Sequence, residues 1–307
     1  MKQDVIAMNA APVVVGAERG RWMRGGGLTL LALIAVYVIW GSTYLAIRFG
    51  LEGFAPYQMS GIRFLIAGSI LYALLRARGA ARPTRKQWAA GAAIGALLLV
   101  GGMGSVAIAE QWVASGLAAV WIATMPLWAA LFAGLFGRWP RRLEWAGLAL
   151  GVVGVLLLNL EGNLQANPLG VIALTAATIC WAFGSVWSKR LPLAPGLMSS
   201  ATEMLAGGAI LFLLSLLVGE KWPQPTAASI GALAYLVLFG SIIAFSAYGY
   251  LLRQVRPTLA TSYAYVNPIV AVGLGAGLAG ETITWAGILA LPVILSAVAL
   301  VALGRDR

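Results

Sequence analysis

Long apolar runs separated by short polar connections cover most of the chain. A run of about 18 apolar residues can cross the hydrocarbon core of a bilayer as a helix, so the pattern predicts ten membrane spans. Their ranges are 28–47, 57–75, 89–109, 113–136, 143–160, 169–188, 198–218, 228–252, 258–279 and 283–303. The predicted fold class is therefore an all-α membrane protein with ten transmembrane helices.

Composition agrees with this pattern. Of the 307 residues, 61% are hydrophobic and only 10% are charged, and the mean hydropathy is +0.88. A soluble domain needs more polar surface than this. Residues 1–27 carry Asn9, Pro12 and Gly16 within a weakly apolar stretch. We interpret them as a cytoplasmic N-terminal tail, not as a cleaved signal peptide.

Positive charge is distributed unevenly between the connections. Of the 21 Lys and Arg residues, 18 lie in the terminal segments or in connections that follow an even-numbered span, and Arg48 and Lys221 lie on the other side. By the positive-inside rule, both termini are cytoplasmic. The formal net charge of +11 therefore reflects membrane topology and attraction to anionic lipid, and we expect no nucleic-acid partner.

The two halves of the chain repeat each other at an offset of 140 residues. Residues of the second span recur in the seventh, as Ser60, Leu65, Gly68, Ile70, Leu71 and Leu74 are matched by Ser200, Leu205, Gly208, Ile210, Leu211 and Leu214. The halves are residues 28–160 and 169–303, with five spans each. Because five is odd, the second copy enters the membrane from the opposite side. Such inverted repeats favour alternating access around a central cavity, although a purely structural duplication is the alternative.

Three motifs occur together in this repeat. They are a Trp-Gly segment in the first span of each half, the sequence RFLIAG in the second span, and a proline-bearing fourth span that in the second half is followed by Gly280-Glu281 and Trp285-Ala286-Gly287. Together they resemble the EamA repeat of the drug/metabolite transporter superfamily, and most of all its YddG-type exporters of aromatic and other amino acids. One departure is that Glu281 has no acidic counterpart in residues 137–142.

This resemblance implies a ten-helix transporter with a central cavity and cytoplasmic termini. It implies export of small metabolites across a bacterial inner membrane. The charge distribution predicts the same topology independently.

Other chemistry is poorly supported by the sequence. The chain has no histidine, and no glycine-rich phosphate-binding loop precedes any of its lysines. Membrane enzymes and metal sites need clustered Asp, Glu, His or Cys, which the predicted spans do not supply. We therefore expect no enzymatic activity, no cofactor, no metal and no ATP-driven pumping.

Helix breaks and aromatic side chains should mark a substrate cavity in so uncharged a protein. Pro126 and Pro268 lie near the middle of the fourth and ninth spans, and we expect each to break its helix and free backbone carbonyls. Preceding them on one helical face are Trp121 and Met125 in the first half, and Tyr263 and Asn267 in the second. We predict that these four side chains line the cavity.

Further candidates lie well inside other spans. They are Trp40, Tyr44, Trp181, Ser185 and Tyr248, which we predict as additional cavity surface. The alternative is that the aromatic members only pack within the fold or form a lipid-facing belt.

Arg63 and Glu203 are repeat-related charges inside the second and seventh spans. An arginine near the bilayer centre costs about 3 kcal/mol on insertion scales. The inverted repeat puts the two residues in opposite leaflets, roughly 12 Å apart in depth, so we do not expect them to pair. They are predicted to gate the two ends of the pathway, or, for Arg63, to snorkel to the headgroups.

The leading functional hypothesis is an exporter of amino acids with aromatic or apolar side chains, acting without ion coupling. The alternatives are an exporter of organic cations such as methyl viologen, a proton-coupled metabolite antiporter, and a non-transporting scaffold or receptor. The expected partners are the small-molecule substrate and the lipid bilayer. Gly147, Gly151 and Gly154 form a ridge that suits helix packing within the fold and is compatible with a homodimer, which transport does not require.

Overall fold

The computed structural model describes residues 15–113, 115–158, 167–279 and 285–303, and within these ranges all regular structure is helical. The first half contains α1 (Val15–Leu51), α2 (Pro56–Ala77), α3 (Arg85–Ala109), α4 (Ser115–Ile122), α5 (Met125–Leu135) and α6 (Arg142–Leu158). The second half contains α7 (Pro168–Trp187), α8 (Leu197–Leu217), α9 (Ala227–Gln254), α10 (Pro257–Ala260), α11 (Tyr263–Ala279) and α12 (Trp285–Leu303).

Six of the described helices are long and apolar enough to cross a membrane. They are α1 from Gly27 onward, α2, α3, α7 with its extension to Arg190, α8 and α9. Shorter apolar helices occur at Met125–Leu135 and Pro292–Val301. The chain is thus a multi-pass helical membrane protein, while the full count of ten spans stays a prediction.

The first helix begins earlier than the predicted first span. Helix α1 starts at Val15, within the predicted tail of residues 1–27, and continues without interruption into the apolar segment. Glu281 of the family motif lies outside the described residues, as do the end of the first predicted repeat and residues 1–14.

The same local signals begin and end helices in both halves. Thr84 and Thr226 form capping boxes at the starts of α3 and α9, where each hydroxyl accepts a hydrogen bond from the amide three residues on. Gly79 and Gly219 follow α2 and α8 with positive φ angles of 81° and 68°. Only glycine adopts this conformation without strain, so these two positions terminate the helices.

Wide π-helical segments interrupt α3 and α9 at corresponding positions. They span Ala96–Gly104 and Leu236–Ile243. In the second, the Ser241 hydroxyl donates to the carbonyl of Leu236 at 3.0 Å. Because π segments are energetically unfavourable and occur most often at functional sites, this pair directs attention to the helices that pack against them.

The fourth helical segment of each half is broken by a turn. In the first half, α4 and α5 are separated at residues 123 and 124, so Pro126 lies in the first turn of α5, where its missing N–H costs no helical hydrogen bond. In the second half, the interruption between α10 and α11 lies at Thr261 and Ser262, whose hydroxyls bond back to the preceding turn. Helix α11 continues through Pro268, which differs from the break expected there.

Helices α2 and α8 pack the two halves together through repeat-related glycines. A Cβ atom at Gly68 would lie 2.9 Å from Leu205 Cγ, and one at Gly208 would lie 2.9 Å from the Leu65 nitrogen. Small residues permit this close approach of two helices. The contacts are reciprocal, because Gly68 and Leu65 occupy the positions in the first half that Gly208 and Leu205 occupy in the second.

Candidate functional site

A central cavity of about 60 Å³ lies between helices of both halves. Helices α1, α3, α7 and α11 supply most of its walls. The lining residues are Trp40, Thr43, Tyr44, Ile47, Arg63, Gly102, Met103, Val106, Ile122, Met125, Ala177, Trp181, Tyr263 and Asn267.

Four aromatic rings from four different helices meet at one end of this cavity. In this aromatic cluster, the centroid of Trp40 lies 5.3 Å from that of Trp181, 5.1 Å from that of Tyr248 and 4.7 Å from that of Tyr263. Trp181 and Tyr248 are 5.4 Å apart. Edge-to-face and tilted arrangements of this kind are the favoured geometry for aromatic pairs, so the rings form a compact barrier.

Hydrogen bonds fix the orientation of the cluster. The Trp181 Nε1–H donates to the Tyr248 hydroxyl at 3.0 Å, and that hydroxyl also bonds to Ser185 at 2.6 Å. Trp40 Nε1–H donates to the Gly240 carbonyl in the π segment of α9 at 3.0 Å. Each indole thus has a polar partner within the buried cluster, which holds its ring in one position.

The π segment of α3 contacts Trp181 in a similar way. A Cβ atom at Gly102 would lie 2.5 Å from Cε3 of the Trp181 ring, so this position accepts only glycine unless the indole moves. Each half therefore presents a π segment to a tryptophan of the other half: α3 to Trp181 and α9 to Trp40. The local widening of both helices determines where the two indoles lie.

Arg63 lies in the interior of the protein. Its side chain is only 3% exposed, and its Nε–H donates to the Ser241 hydroxyl at 2.6 Å. Its Nη2 atom is buried and has no hydrogen-bond partner. The glycine at position 240 leaves room for the guanidinium, since a Cβ there would lie 2.7 Å from Nη2. This inward position differs from the snorkelling alternative, in which the side chain reaches the headgroups.

Asn267 supplies a second unpartnered polar atom in the same cavity. The residue is 1% exposed, and its Oδ1 atom has no hydrogen-bond partner. Its side chain contacts the hydroxyl of Tyr44, which also lines the cavity. A buried polar group without a partner is costly in a folded protein, so an atom of this kind on a residue that lines a cavity is a candidate contact for a ligand.

Six of the nine predicted cavity residues line this space, namely Trp40, Tyr44, Met125, Trp181, Tyr263 and Asn267. Ser185 and Tyr248 lie behind Trp181, to which Tyr248 is bonded. Trp121 lies elsewhere: its indole donates to the Thr175 hydroxyl at 3.0 Å and lines a separate groove. Helical-face reasoning missed this because α4 is short and ends at Ile122, so Trp121 and Met125 do not share one continuous helix.

A second cavity of about 50 Å³ lies on the other side of the aromatic cluster, with Tyr248 in its wall. Glu203, Arg253 and Lys189 line it together. Arg253 donates to the Ser199 hydroxyl at 3.1 Å, and Lys189 donates to the Val255 carbonyl at 2.8 Å. Arg63 and Glu203 therefore line different cavities.

The sequence analysis missed two buried carboxylates. Glu144, near the start of α6, forms an ion pair with Arg256 at 3.0 Å and accepts a hydrogen bond from Thr258 at 2.7 Å, which joins the two halves. Glu110 directly follows α3, and both of its carboxylate oxygens are buried without a hydrogen-bond partner. Burial raises the pKa of Glu110 well above its usual range, although the nearby Arg48 opposes the shift.

Apolar helices that can cross a membrane, packed around a central cavity, are the architecture of a small-molecule transporter. The chain belongs to the EamA-like transporter family, whose domain matches residues 27–160 and again residues 168–303. The two matches agree with the sequence-based family assignment and with a duplicated chain.

Relatives carry transporter names. The chain is 51% identical over 276 residues to the uncharacterized inner membrane transporter YedA of Escherichia coli (strain K12), covering 89% of this chain and 90% of the relative. It is 27% identical to a probable amino-acid metabolite efflux pump of Salmonella typhimurium, with 83% and 87% covered. It is 28% identical to a probable terminal-alkyne amino-acid exporter of Streptantibioticus cattleyicolor, with 78% and 82% covered.

One crystal structure shares the fold. It superposes with a TM-score of 0.75 at 24% sequence identity, covering 92% of this chain and 99% of the other. At this identity the likeness concerns the fold alone.

Proposed function

We propose that this protein exports amino acids with aromatic or apolar side chains across a bacterial inner membrane, without ion coupling. The observation that carries the proposal is the central cavity, which combines indole and phenol surfaces with a few unpartnered polar atoms. Aromatic faces bind apolar and aromatic groups by dispersion, and a few polar groups fix orientation. The names of two relatives, an amino-acid metabolite efflux pump and an amino-acid exporter, point to the same substrate class.

The proposed transport mechanism is alternating access by two inverted repeats of five spans. The paired π segments, the paired helix interruptions and the reciprocal packing of α2 with α8 support this arrangement. Reciprocal contacts between corresponding residues are typical of a two-fold relation. In this proposal, the two halves exchange conformations, and the cavity opens first to one side of the membrane and then to the other.

The aromatic cluster is the proposed barrier of the observed conformation. It separates the central cavity from the second cavity, which is lined by cations near the ends of α7 and α9. The charge distribution of the sequence assigns this cation-rich end, and both termini, to the cytoplasm. Movement of the cluster would connect the two cavities. The cavity is complete within one chain, so the mechanism needs no homodimer.

Proteoliposomes test the proposal directly. Vesicles loaded with unlabelled L-phenylalanine should accumulate external radiolabelled L-phenylalanine transiently by counterflow, and an imposed pH gradient should not change the plateau. Empty liposomes are the control. Movement of methyl viologen without movement of phenylalanine would favour the organic-cation alternative, and a lack of any flux would favour the scaffold alternative.

Proton-coupled antiport is the second candidate function. The observation that favours it is that both carboxylate oxygens of Glu110 are buried without a hydrogen-bond partner. A buried carboxylate without partners can take up and release a proton as its surroundings change. Glu110 also interacts electrostatically with Tyr44 in the cavity wall. Accumulation of phenylalanine driven by a pH gradient, and lost in Glu110→Gln, would replace uncoupled export by this mechanism.

A further inference from the structure

The guanidinium of Arg63 in the central cavity contacts one aromatic ring, since its Cζ atom lies 4.8 Å from the centroid of the Phe64 ring. It lies in a buried position, and the only ion pair among the described residues joins Arg256 to Glu144, so no described carboxylate neutralises Arg63. Ser241 takes one of its donors, while Nη2 takes part in no hydrogen bond. The cation–π contact offsets part of the cost of burying this charge, but Nη2 remains a buried donor without a hydrogen bond, which makes it a candidate contact for an anionic group.

We propose that Arg63 binds the carboxylate of the transported substrate, and that Asn267 Oδ1 accepts a hydrogen bond from its ammonium group. The inference rests on the proposed function and names the groups that a substrate of this site must carry. It makes Arg63 a substrate-binding residue in addition to its predicted place near one end of the pathway.

Chemical complementarity favours a carboxylate at Arg63. An arginine has donors only, it stays protonated, and its planar fork matches the two oxygens of a carboxylate. Binding of such an anion would satisfy Nη2 and neutralise the buried charge in one step. The bond from Nε to Ser241 already fixes the guanidinium plane, so little side-chain entropy is lost on binding.

The opposite end of a zwitterion requires an acceptor. Asn267 Oδ1 is such an atom, and Asn267 lines the same cavity as Arg63. Because its amide is neutral, it contributes less than a carboxylate would. We therefore expect the carboxylate of the substrate to matter more than its ammonium group. A cation such as methyl viologen would meet an uncompensated arginine here, so the site discriminates against it.

Three ligands that share a phenylethyl group separate the two contacts. L-Phenylalanine carries both charged groups, 3-phenylpropionate only the carboxylate, and phenethylamine only the ammonium. Their binding to purified protein is measured by the ligand-dependent rise in melting temperature, which does not require transport. We expect phenylpropionate to bind within about tenfold of phenylalanine, and phenethylamine at least a hundredfold more weakly.

Substitutions at Arg63 and Asn267 test which residue contacts which group of the ligand. Arg63→Met should weaken binding of both carboxylates at least a hundredfold, and Arg63→Lys about tenfold, because lysine keeps the charge but not the fork. Arg76→Gln, on the same helix but outside the cavity, is the matched control and should bind normally. Asn267→Leu should weaken the binding of phenylalanine but leave the binding of phenylpropionate unchanged.

The outcomes distinguish this inference from the proposed function. Equal binding of phenethylamine and phenylpropionate to the wild type would overturn it even if Arg63→Met did not fold, as would the absence of any carboxylate-dependent stabilisation. Phenylalanine counterflow with an unchanged KM in a folded Arg63→Met would also overturn it, while leaving amino-acid export intact. Carboxylate binding without counterflow would retain the inference and reject export.

Discussion

The two cavities on either side of the aromatic cluster differ in the partners of the charged side chains that line them. In the second cavity, Glu203 lies beside two cations, and both Arg253 and Lys189 have hydrogen-bond partners in the protein. In the central cavity, Arg63 has no described carboxylate near it, and both Arg63 Nη2 and Asn267 Oδ1 lack partners. The cations of the second cavity thus have hydrogen-bond partners and an acidic neighbour, whereas the central cavity holds a cation with an unpartnered donor.

This difference teaches how a substrate site can be recognised in a protein with few intramembrane charges. Volume alone does not separate the cavities, which measure about 60 and 50 Å³. The unpartnered polar atoms separate them, because a buried polar atom without a hydrogen bond is costly unless it has a functional role, such as binding a ligand. We interpret the central cavity as the binding site and the second as part of the passage that the cluster closes.

Removal of Trp181 should produce the largest effect, because this ring separates the cavities and lines one of them. Trp181→Ala would delete a buried indole and the hydrogen bond that orients Tyr248. We expect a loss of about 3–5 kcal/mol in unfolding free energy and at least a tenfold fall in phenylalanine counterflow. Differential scanning fluorimetry measures the corresponding fall in melting temperature, and proteoliposome assays measure counterflow.

Trp222→Ala is the matched control, since Trp222 is 79% exposed. It should leave both quantities close to the wild type. A similar loss of stability and counterflow in both variants would contradict the proposal that the aromatic cluster separates the two cavities. Trp181→Phe should retain much of the stability but not the bond to Tyr248.

A smaller effect is expected from adding a single methyl group beside Arg63. In Gly240→Ala the new Cβ would lie 2.7 Å from Nη2 and 3.1 Å from Thr43 Cγ2, so the guanidinium must move. Because the displaced atom ends a long side chain, the fold should tolerate the change. We expect KM for phenylalanine to rise about five- to tenfold with little change in maximal rate.

Gly231→Ala provides the control on the same helix, because nothing lies within 4 Å of the atom it would add. Its KM should equal that of the wild type. If Gly240→Ala also left KM unchanged, the position of the guanidinium would not matter for binding, and the central cavity would lose the feature that sets it apart.

Much of the fold follows from the sequence, since length and apolarity determine which segments become membrane helices. The offset of 140 residues predicted the repeat, and the same offset relates the two π segments and the glycines that end α2 and α8. The π segments themselves were not predicted, because no residue type marks them as proline marks a kink. Their glycines, Gly102 and Gly240, were the available signal.

The candidate site was predictable where a side chain lies deep in a regular helix. Trp40 and Trp181 follow the repeat, and both line the cavity. Trp121 and Pro268 did not follow expectation, because the interruptions lie in the turns before Met125 and Tyr263 and change which faces are continuous. The burial of the Glu110 carboxylate could not be predicted from the sequence, since it depends on tertiary packing at the end of α3.

The smallest expected effect concerns Glu110, which extends the comparison to a third unpartnered group. Burial raises the pKa of this carboxyl above its value in the unfolded chain, so the native state retains its proton to higher pH. Stability from this group is therefore complete below the unfolded pKa and is lost as pH rises through the native one. Glu110→Gln, which cannot ionise, should escape that loss.

We expect Glu110→Gln to melt higher than the wild type by about 2–4 °C at pH 9, on the order of 1 kcal/mol, with the difference vanishing near pH 4.5. Glu52→Gln, at an exposed acid in the connection between α1 and α2, is the control and should leave the melting temperature close to that of the wild type. A gap that widened at low pH would mean that Arg48 stabilises Glu110 in its charged form. Glu110 would then resemble Arg253 and Lys189 of the second cavity, which have partners within the protein.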